Sequence, residues 1–312
     1  MPSVYQPGPA RRGRVGASGP AWRAERIAEW GRRRAQAAEK APHSAVQSAS
    51  LGPLAGRHSP AATAGARQNG SMSVDRISAC SDNLAAEWIR PRLMPFASGV
   101  GSLVPPTFES YARLLHPARA RDGSPARWAD VAARSGGTVH ALAQWVPMAH
   151  GSGAATAEPT FAAPASVGDL PAETVSALCD VLARHTTTSG DCYFGLWEGY
   201  GWIPKGAMPE ARLELEHRSY LLLRGPLSGV EQVGFWMGLH FYRQVPDLWW
   251  PADRSWYVAR DTDLDSTYVG GSDALVRELV ADPRLEVWPV QSTDPIDAGS
   301  DPINRNWPAP AT

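Results

Sequence analysis

The sequence is poor in lysine and cysteine and has no long apolar run. Lysine occurs twice against 28 arginines, which is typical of a GC-rich genome. No apolar stretch approaches the roughly 18 residues that a membrane-spanning helix needs. Cys80, Cys179 and Cys192 form no C-x-x-C pair and show no regular spacing, which argues against a zinc ribbon or a disulfide framework. With no signal-peptide pattern, we expect a reducing cytoplasm and no membrane partner.

The familiar catalytic motifs are also missing. The sequence contains no Walker A loop, no G-x-S-x-G and no H-E-x-x-H. Its Gly-x-Gly pairs lack the third glycine of a dinucleotide fingerprint, and the eight histidines include no pair at i, i+4. We therefore predict no cofactor and lean against an enzyme.

The near-zero net charge of -1 conceals two unlike segments. Residues 1–71 hold eleven Lys+Arg against three acids, giving +8, whereas residues 72–312 hold nineteen against twenty-eight, giving -9. The first segment is rich in Ala, Gly, Arg and Pro and poor in large apolar residues, so it cannot bury enough surface to fold. We expect residues 1–71 to be disordered, and Met72, where the composition changes, is an alternative start.

The folded part is predicted to be a single α+β domain over residues 73–292. Helical patterns lie mainly in its first half, and strand-like patterns of a mostly antiparallel sheet lie in its second half. A loop is predicted at 146–170 and a polar tail at 293–312. Predicted helices are 82–89, 107–115, 125–134, 138–145, 171–185 and 272–280. Predicted strands are 192–197, 213–223, 255–261 and 286–290.

Four segments carry a family resemblance. They are Gly101-Ser-Leu-Val-Pro-Pro-Thr-Phe-Glu-Ser-Tyr-Ala-Arg-Leu-Leu-His-Pro117, Phe194-Gly-Leu-Trp-Glu-Gly-Tyr-Gly-Trp202 and Trp249-Trp-Pro-Ala-Asp-Arg-Ser-Trp256, with the following Asp263-Leu-Asp-Ser-Thr-Tyr-Val-Gly-Gly-Ser272. As a set they resemble a family of uncharacterised proteins from high-GC actinobacteria, over about residues 85–305. That family has no assigned activity, so the resemblance implies no functional residue.

Residues 128–145 fit the spacing of a DNA-binding helix-turn-helix. A small residue in the first helix, a glycine in the turn and apolar anchors in the second helix are what such a unit needs. The residues predicted to contact DNA are Arg127, Arg134, Thr138, His140 and Gln144. Gly137 departs from the pattern because an apolar residue usually follows the turn glycine. The acidity of the folded part also argues against DNA, so a DNA-binding regulator is our second hypothesis.

Acidic residues alternate at Asp261, Asp263 and Asp265. A calcium loop begins with acids at this spacing, because a hard cation takes several oxygen ligands. The sixth position is Ser266 rather than glycine, and the twelfth is Ser272 rather than glutamate. Three like charges on one face of a strand need solvent, arginine partners or a cation. Solvent or arginine is the simpler expectation, so these residues are weak metal candidates.

The tryptophan-rich segments supply the leading site hypothesis. Trp249 and Trp250 lie next to each other between prolines, and adjacent side chains of an extended segment point to opposite faces. One of the two is therefore expected to stay accessible. Glu198, Asp253 and Arg254 complete an aromatic-acidic surface, in which Glu198 and Asp253 are either an acid-base pair or salt-bridge partners of Arg254. The favoured function is non-enzymatic binding of a protein or small-molecule ligand, with an enzyme of unrecognised type as the third hypothesis.

Overall fold

A computed structural model describes residues 77–150, 161–165, 170–201, 203, 211–237 and 239–304. The predictions for residues 1–71 lie outside the described residues, as do those for 151–160, 166–169 and 305–312. In the described residues the 3-10 helices are Arg90–Arg92, Val100–Ser102 and Leu227–Gln232. The α-helices are α1 (Trp128–Ser135), α2 (Trp145–His150), α3 (Ala172–Arg184) and α4 (Asp273–Ala281).

Antiparallel strands form the rest of the framework. They are β1 (Ser78–Ala79), β2 (Ser110–Leu115), β3 (Ala118–Ala120), β4 (Pro125–Ala126), β5 (Phe161–Ala163), β6 (Cys192–Trp197), β7 (Arg212–Leu215), β8 (Arg218–Gly225), β9 (Gly234–Met237), β10 (His240–Arg243), β11 (Leu248–Pro251), β12 (Tyr257–Arg260), β13 (Ser266–Gly271) and β14 (Val287–Val290). The main sheet has the order β1-β8-β6-β11-β12-β13-β2-β14, with β7 also paired to β8. Smaller sheets are β10-β9 and β4-β3-β5. Every pairing in the described part is antiparallel, which confirms the predicted mostly antiparallel sheet.

Both faces of the main sheet are covered, which explains its density of tryptophan. Helices α3 and α4 pack on one face, where they share a core with Trp249, Val258 and Val269. We call this the helix face. The segment 86–108 covers the other face, where Trp250, Tyr257 and Ala259 are buried with it. We call this the loop face. A sheet covered on both sides buries successive side chains of the same strand, because neighbours alternate between the faces.

Helices α3 and α4 form where their sequence patterns predicted them. Val175, Leu178 and Leu182 recur on one face of α3 and are fully buried against the sheet. Helix α4 begins after Ser272, whose hydroxyl accepts a hydrogen bond from the Leu275 N–H at 3.2 Å. These two predicted helices are confirmed to within about one residue at each end.

The helix predicted at 107–115 is wrong, because Ser110–Leu115 is strand β2 of the main sheet. The spacing of Phe108, Tyr111 and Leu115 suits a helix, but the segment is paired on both sides, with β13 and with β14. Five of its six residues are buried, so the run contains too few exposed positions to show the strand alternation.

The predictions for two other apolar segments are also wrong. Residues 82–89 form turns rather than a helix. The predicted single strand 213–223 is a hairpin, in which β7 and β8 pair around a turn at Glu216 and His217. Both errors arise because tertiary contacts override local propensity in short segments.

The end of the described chain packs back onto the domain, although it was predicted to be a polar tail. The Val100 N–H donates to the Asp294 carbonyl oxygen at 2.9 Å. A Cβ on Gly99, which has a φ of 141°, would lie 2.7 Å from that same oxygen. Glycine is therefore required at this close approach.

Candidate functional site

The structure corrects the expectation that Trp249 or Trp250 is accessible. The side chains do point to opposite faces of β11, but Trp249 is 0% exposed and Trp250 is 1% exposed. The predicted alternation is confirmed, but both faces of the sheet are covered, so neither tryptophan meets solvent. The aromatic-acidic surface proposed around these two residues is not present in this form.

The acidic members of that predicted surface lie apart. Asp253 follows Pro251, which pairs with Cys192 at the start of β6, whereas Glu198 follows the end of β6. Six strand residues separate these ends by roughly 17 Å. Neither acid pairs with Arg254 in the described contacts. Glu198 binds Arg212, and Asp253 accepts hydrogen bonds from Thr186, Thr187 and Ser255.

The helix-turn-helix prediction is also wrong. Helix α1 ends as expected at Gly136, which has a left-handed φ of 75°. Residues 138–144 then run as a loop, and α2 starts only at Trp145. In place of a second helix there is a loop whose polar groups are held by Asp301 and Asn304, near the end of the described residues. Thr138 N–H donates to Asn304, while His140 and the Gln144 N–H bond to Asp301.

The two arginines assigned to phosphates have no recognition helix beside them. Arg127 donates to the Pro283 carbonyl oxygen, and Arg134 is exposed near the end of α1. The predicted readout by Thr138, His140 and Gln144 therefore has no structural basis in the described residues. The loop that these residues form connects α1 to α2 and has a structural role.

The acidic run at 261–265 is held by arginines, as the simpler expectation had it. Arg218 Nη2 lies 2.5 Å from an Asp261 oxygen and 3.0 Å from an Asp263 oxygen. Asp265 lies 3.4 Å from Arg113. No group of three or more His, Cys, Asp and Glu side chains suited to a metal ion occurs in the described residues.

One of these ion pairs lies at the edge of a cleft on the loop face. The cleft has a volume of about 450 Å³ and runs between the segment 90–103 and the β7–β8 hairpin. The sheet contributes Tyr220, Leu248 and Ala259 to its lining. Other apolar residues around it are Leu93, Met94, Phe96, Leu103 and Leu215. A concave and mostly apolar space of this size is typical of a small-molecule site.

Arg218 and Asp261 form the polar end of the cleft. The Arg218 side chain is 5% exposed, and its guanidinium lies 5.0 Å from the centre of the Trp197 ring. Burial lowers the pKa of Arg218, but the neighbouring Asp261 and Asp263 carboxylates outweigh it and raise the pKa above its usual value. Arg218 is therefore a fixed cation in a nearly dry position, which is suited to orienting a polar ligand group.

The rim of the cleft contains strained backbone. Ala97 has a φ of 59°, in the left-handed region that side chains other than glycine rarely adopt. Its neighbour Phe96 packs edge-on against His217 across the cleft, with ring centres 4.5 Å apart. The Phe96 N–H also donates to Glu216 at 3.3 Å. Contacts with the hairpin thus hold the segment in a conformation that costs free energy, a pattern found at binding sites.

A buried ion pair supports the same end of the sheet. Arg260 and Asp247 are 0% and 2% exposed and lie 3.2 Å apart. Asp247 also accepts from the Trp197 N–H and the Tyr200 hydroxyl, each within 2.9 Å. Burial raises the pKa of Asp247, and Arg260 with these hydrogen bonds opposes that rise. The network fixes the loops beside the cleft, and its Arg260 also lines the cleft, although that side chain is almost fully buried.

An aromatic cluster adjoins the cleft on the same face. We use this name for Trp88, Tyr193, Trp250 and Tyr257. Trp250 stacks between Tyr193 and Tyr257 at centroid distances of 5.8 and 5.9 Å, and Trp88 meets Tyr257 edge-on at 5.8 Å. Arg254 has a φ of 55°, and its guanidinium lies 5.4 Å from the centre of the Trp88 ring. Trp250 and Arg254, which the sequence had singled out, are thus near each other, but around a buried cluster.

Three donors of the aromatic cluster lack an acceptor. Trp88 Nε1, Trp250 Nε1 and Tyr257 Oη are buried and have no hydrogen-bond partner among the residues that the structure describes. Leaving a buried donor unpaired costs about 1–3 kcal/mol, so three of them in adjacent rings need an explanation. Burial raises the pKa of Tyr257, which keeps the phenol protonated and able to donate.

Sequence reasoning missed Trp88, Arg218, Tyr220 and Tyr257. Trp88 was assigned to a short helix, and Arg218 was placed inside one long strand. One usable signal was present, because an arginine was named as a partner for the alternating acids. The sequence does not show which arginine it is, since Arg218 is 43 residues away from Asp261.

Comparisons with known proteins add no further constraint. No family model, curated protein or solved structure matches the chain. Among the described helices, none has the length and apolar character needed to cross a bilayer.

Proposed function

We propose that this chain is a non-enzymatic binding module that holds a small amphipathic ligand in the cleft on the loop face. The observation that carries the proposal is the cleft itself, with its volume of about 450 Å³, apolar walls and fixed Arg218–Asp261 pair at one end. An apolar wall supplies affinity, and one charged end supplies orientation. The strained backbone at Ala97 supports a binding role for the rim.

The charges beside the cleft favour binding over catalysis. Arg218 directs one nitrogen to two carboxylates, and Asp261 Oδ1 also accepts the Asp263 N–H. A catalytic acid or base needs a proton that moves near neutral pH, whereas these groups are held in a stable ion pair. The resemblance to the actinobacterial family fits this proposal and adds no activity to it. The three free cysteines support a reducing cytoplasm as its location.

Blocking the cleft tests this proposal. A fragment library is screened by ligand-observed NMR against the protein and two variants, Ser102→Trp and Leu215→Trp, which fill the cleft from opposite sides. Both positions are partly exposed, so the fold should tolerate the larger ring. Fragments that bind the protein should bind each variant at least about tenfold more weakly, because the indole occupies their space.

Leu84→Trp is the matched control, since Leu84 is 65% exposed and does not line the cleft. It adds the same ring and should leave fragment binding unchanged. Fragment binding that survives both blocking variants would place the site elsewhere. A library without any bound fragment would contradict the small-ligand proposal itself.

A further inference from the structure

We infer that the ligand presents an uncharged hydrogen-bond acceptor, carried on an apolar ring frame, to the donors of the aromatic cluster. This inference rests on the proposed function and names the chemical class of its ligand. Ketones, lactones and quinones are examples of the class. The acceptor would bind the indole N–H of Trp250 and the hydroxyl of Tyr257.

The aromatic cluster lies next to the cleft along the sheet, although none of its four side chains lines the cleft. Leu248 and Ala259 are paired across β11 and β12 and both line the cleft. Trp250 lies two residues after Leu248 on β11, and Tyr257 lies two residues before Ala259 on β12, so both are on the same face at the same end of this antiparallel strand pair. Two strand residues span roughly 7 Å, so a bicyclic ligand lying on the Leu248–Ala259 floor is close to the neighbouring rings, and binding their donors requires these buried side chains to move.

The chemistry of the cluster selects an acceptor. Its three unpaired groups are two indole N–H donors and one phenol, and an indole nitrogen cannot accept. Other tryptophans of the same fold have acceptors within reach. Trp249, Trp256 and Trp128 donate to backbone carbonyl oxygens at 2.7, 3.0 and 2.7 Å. The missing acceptors at Trp88 and Trp250 are therefore local to this cluster.

The absence of a countercharge inside the cluster makes the acceptor uncharged. The side chains that carry the donors are buried and are themselves uncharged. Arg254 lies over Trp88 and Arg224 lies over Tyr193, but both are exposed and Arg224 is paired with Asp191, so these charges are at the edge of the cluster and solvated. A carboxylate moved among these rings would lose its hydration without a buried partner, whereas a carbonyl oxygen loses much less.

A matched pair of probes tests the inference. Indane and 1-indanone share one bicyclic frame and differ by a carbonyl oxygen, which is an acceptor without a donor. Dissociation constants are measured by ligand-observed NMR titration. The protein should bind 1-indanone about fivefold to tenfold more tightly than indane, since the ketone pairs a donor that indane leaves unpaired.

Two variants that remove one donor each should abolish this preference. Tyr257→Phe deletes only the hydroxyl, and Trp250→Phe deletes the indole N–H but keeps an aromatic ring. In either variant the two dissociation constants should approach each other to within about twofold. Tyr111→Phe is the control, because the Tyr111 hydroxyl is already bonded to the loop at Phe108 and should leave the preference intact.

The outcomes distinguish a failure of this inference from a failure of the proposed function on which it rests. Equal binding of both probes by the unchanged protein, or a preference that persists in both donor variants, overturns the acceptor chemistry. Fragments that the blocking variants displace would then still support the cleft. If neither probe binds while other fragments do, the ligand class is wrong and the cleft stands. A screen in which no fragment binds in the cleft contradicts both the inference and the proposed function.

Discussion

The tryptophans on the two faces of the main sheet differ in their hydrogen bonding. On the helix face, Trp249 and Trp256 are fully buried, and each indole donates to a backbone carbonyl oxygen, of Pro246 and Leu182. On the loop face, Trp88 and Trp250 are also buried, at 8% and 1% exposure, but their indole nitrogens have no acceptor among the described residues. Burial is thus alike on the two faces, and hydrogen bonding is not.

This difference separates structural from candidate functional residues. A core under selection for stability alone has little reason to keep an indole where a phenyl ring would pack without an unpaired donor. The helix face behaves as such a core. The loop face retains unpaired donors next to a cleft, next to the two described non-glycine residues with a positive φ. Burial alone would have placed all four tryptophans in one class.

The largest test of this comparison replaces one indole on each face. Trp249→Phe should lower the free energy of unfolding by about 2–3 kcal/mol, because a smaller ring leaves a cavity and the hydrogen bond to Pro246 is lost. Trp250→Phe should cost about 1 kcal/mol less, since no hydrogen bond is lost with its indole nitrogen. Urea denaturation of both variants measures the two values. Equal losses would mean that the indole nitrogens of the two faces do not differ.

A buried carboxylate with full hydrogen bonding extends the comparison to charge. Burial by itself would raise the pKa of Asp301, but hydrogen bonds from Asn304, Gln144 and Ile303 lower it to about 2 from 3.8. A pKa that is lower in the folded state stabilises the fold above pH 3.8, and this contribution is lost as the pH falls towards 2.

Asp301→Asn should remove that dependence. We expect the stability of the unchanged protein to fall by roughly 1–2 kcal/mol between pH 4 and pH 2 through this group. The variant should be less stable at pH 6 and should show a flatter curve over the acid range. Urea midpoints at a series of pH values give both curves. Parallel curves would show that Asp301 does not carry the acid sensitivity.

The sequence was informative where a single element shows a single local pattern. Helix α3 shows its buried stripe at Val175, Leu178 and Leu182, and the cap at Ser272 marks the start of α4. The sequence was misleading where a strand is buried on both faces, or where segments that are far apart in the chain contact each other. Strand β2 is buried on both faces and imitates a helical spacing, and the loop at Thr138 is shaped by Asn304, which is 166 residues away.

The candidate site shows the same division. Trp250 and Arg254 were selected from composition, and both lie in or beside the aromatic cluster. Their supposed accessibility was not correct, because nothing in the local sequence reveals that the segment 86–108 covers that face. The pairing of Arg218 with Asp261 depends on the register of strands far apart in the chain, which local patterns do not encode.

The smallest expected effect on stability compares a buried tyrosine hydroxyl that is hydrogen-bonded with one that is not. Tyr111 and Tyr257 are both buried on the loop face, but the Tyr111 hydroxyl bonds to backbone atoms of Phe108, and the Tyr257 hydroxyl has no partner in the described part of the chain. Tyr111→Phe should therefore cost about 1 kcal/mol, whereas Tyr257→Phe should leave stability unchanged or raise it slightly, because it removes an unpaired polar group. Thermal unfolding of the free protein measures both. A loss for Tyr257→Phe as large as that for Tyr111→Phe would show that the Tyr257 hydroxyl is already bonded without a ligand, and the loop face would then be an ordinary core.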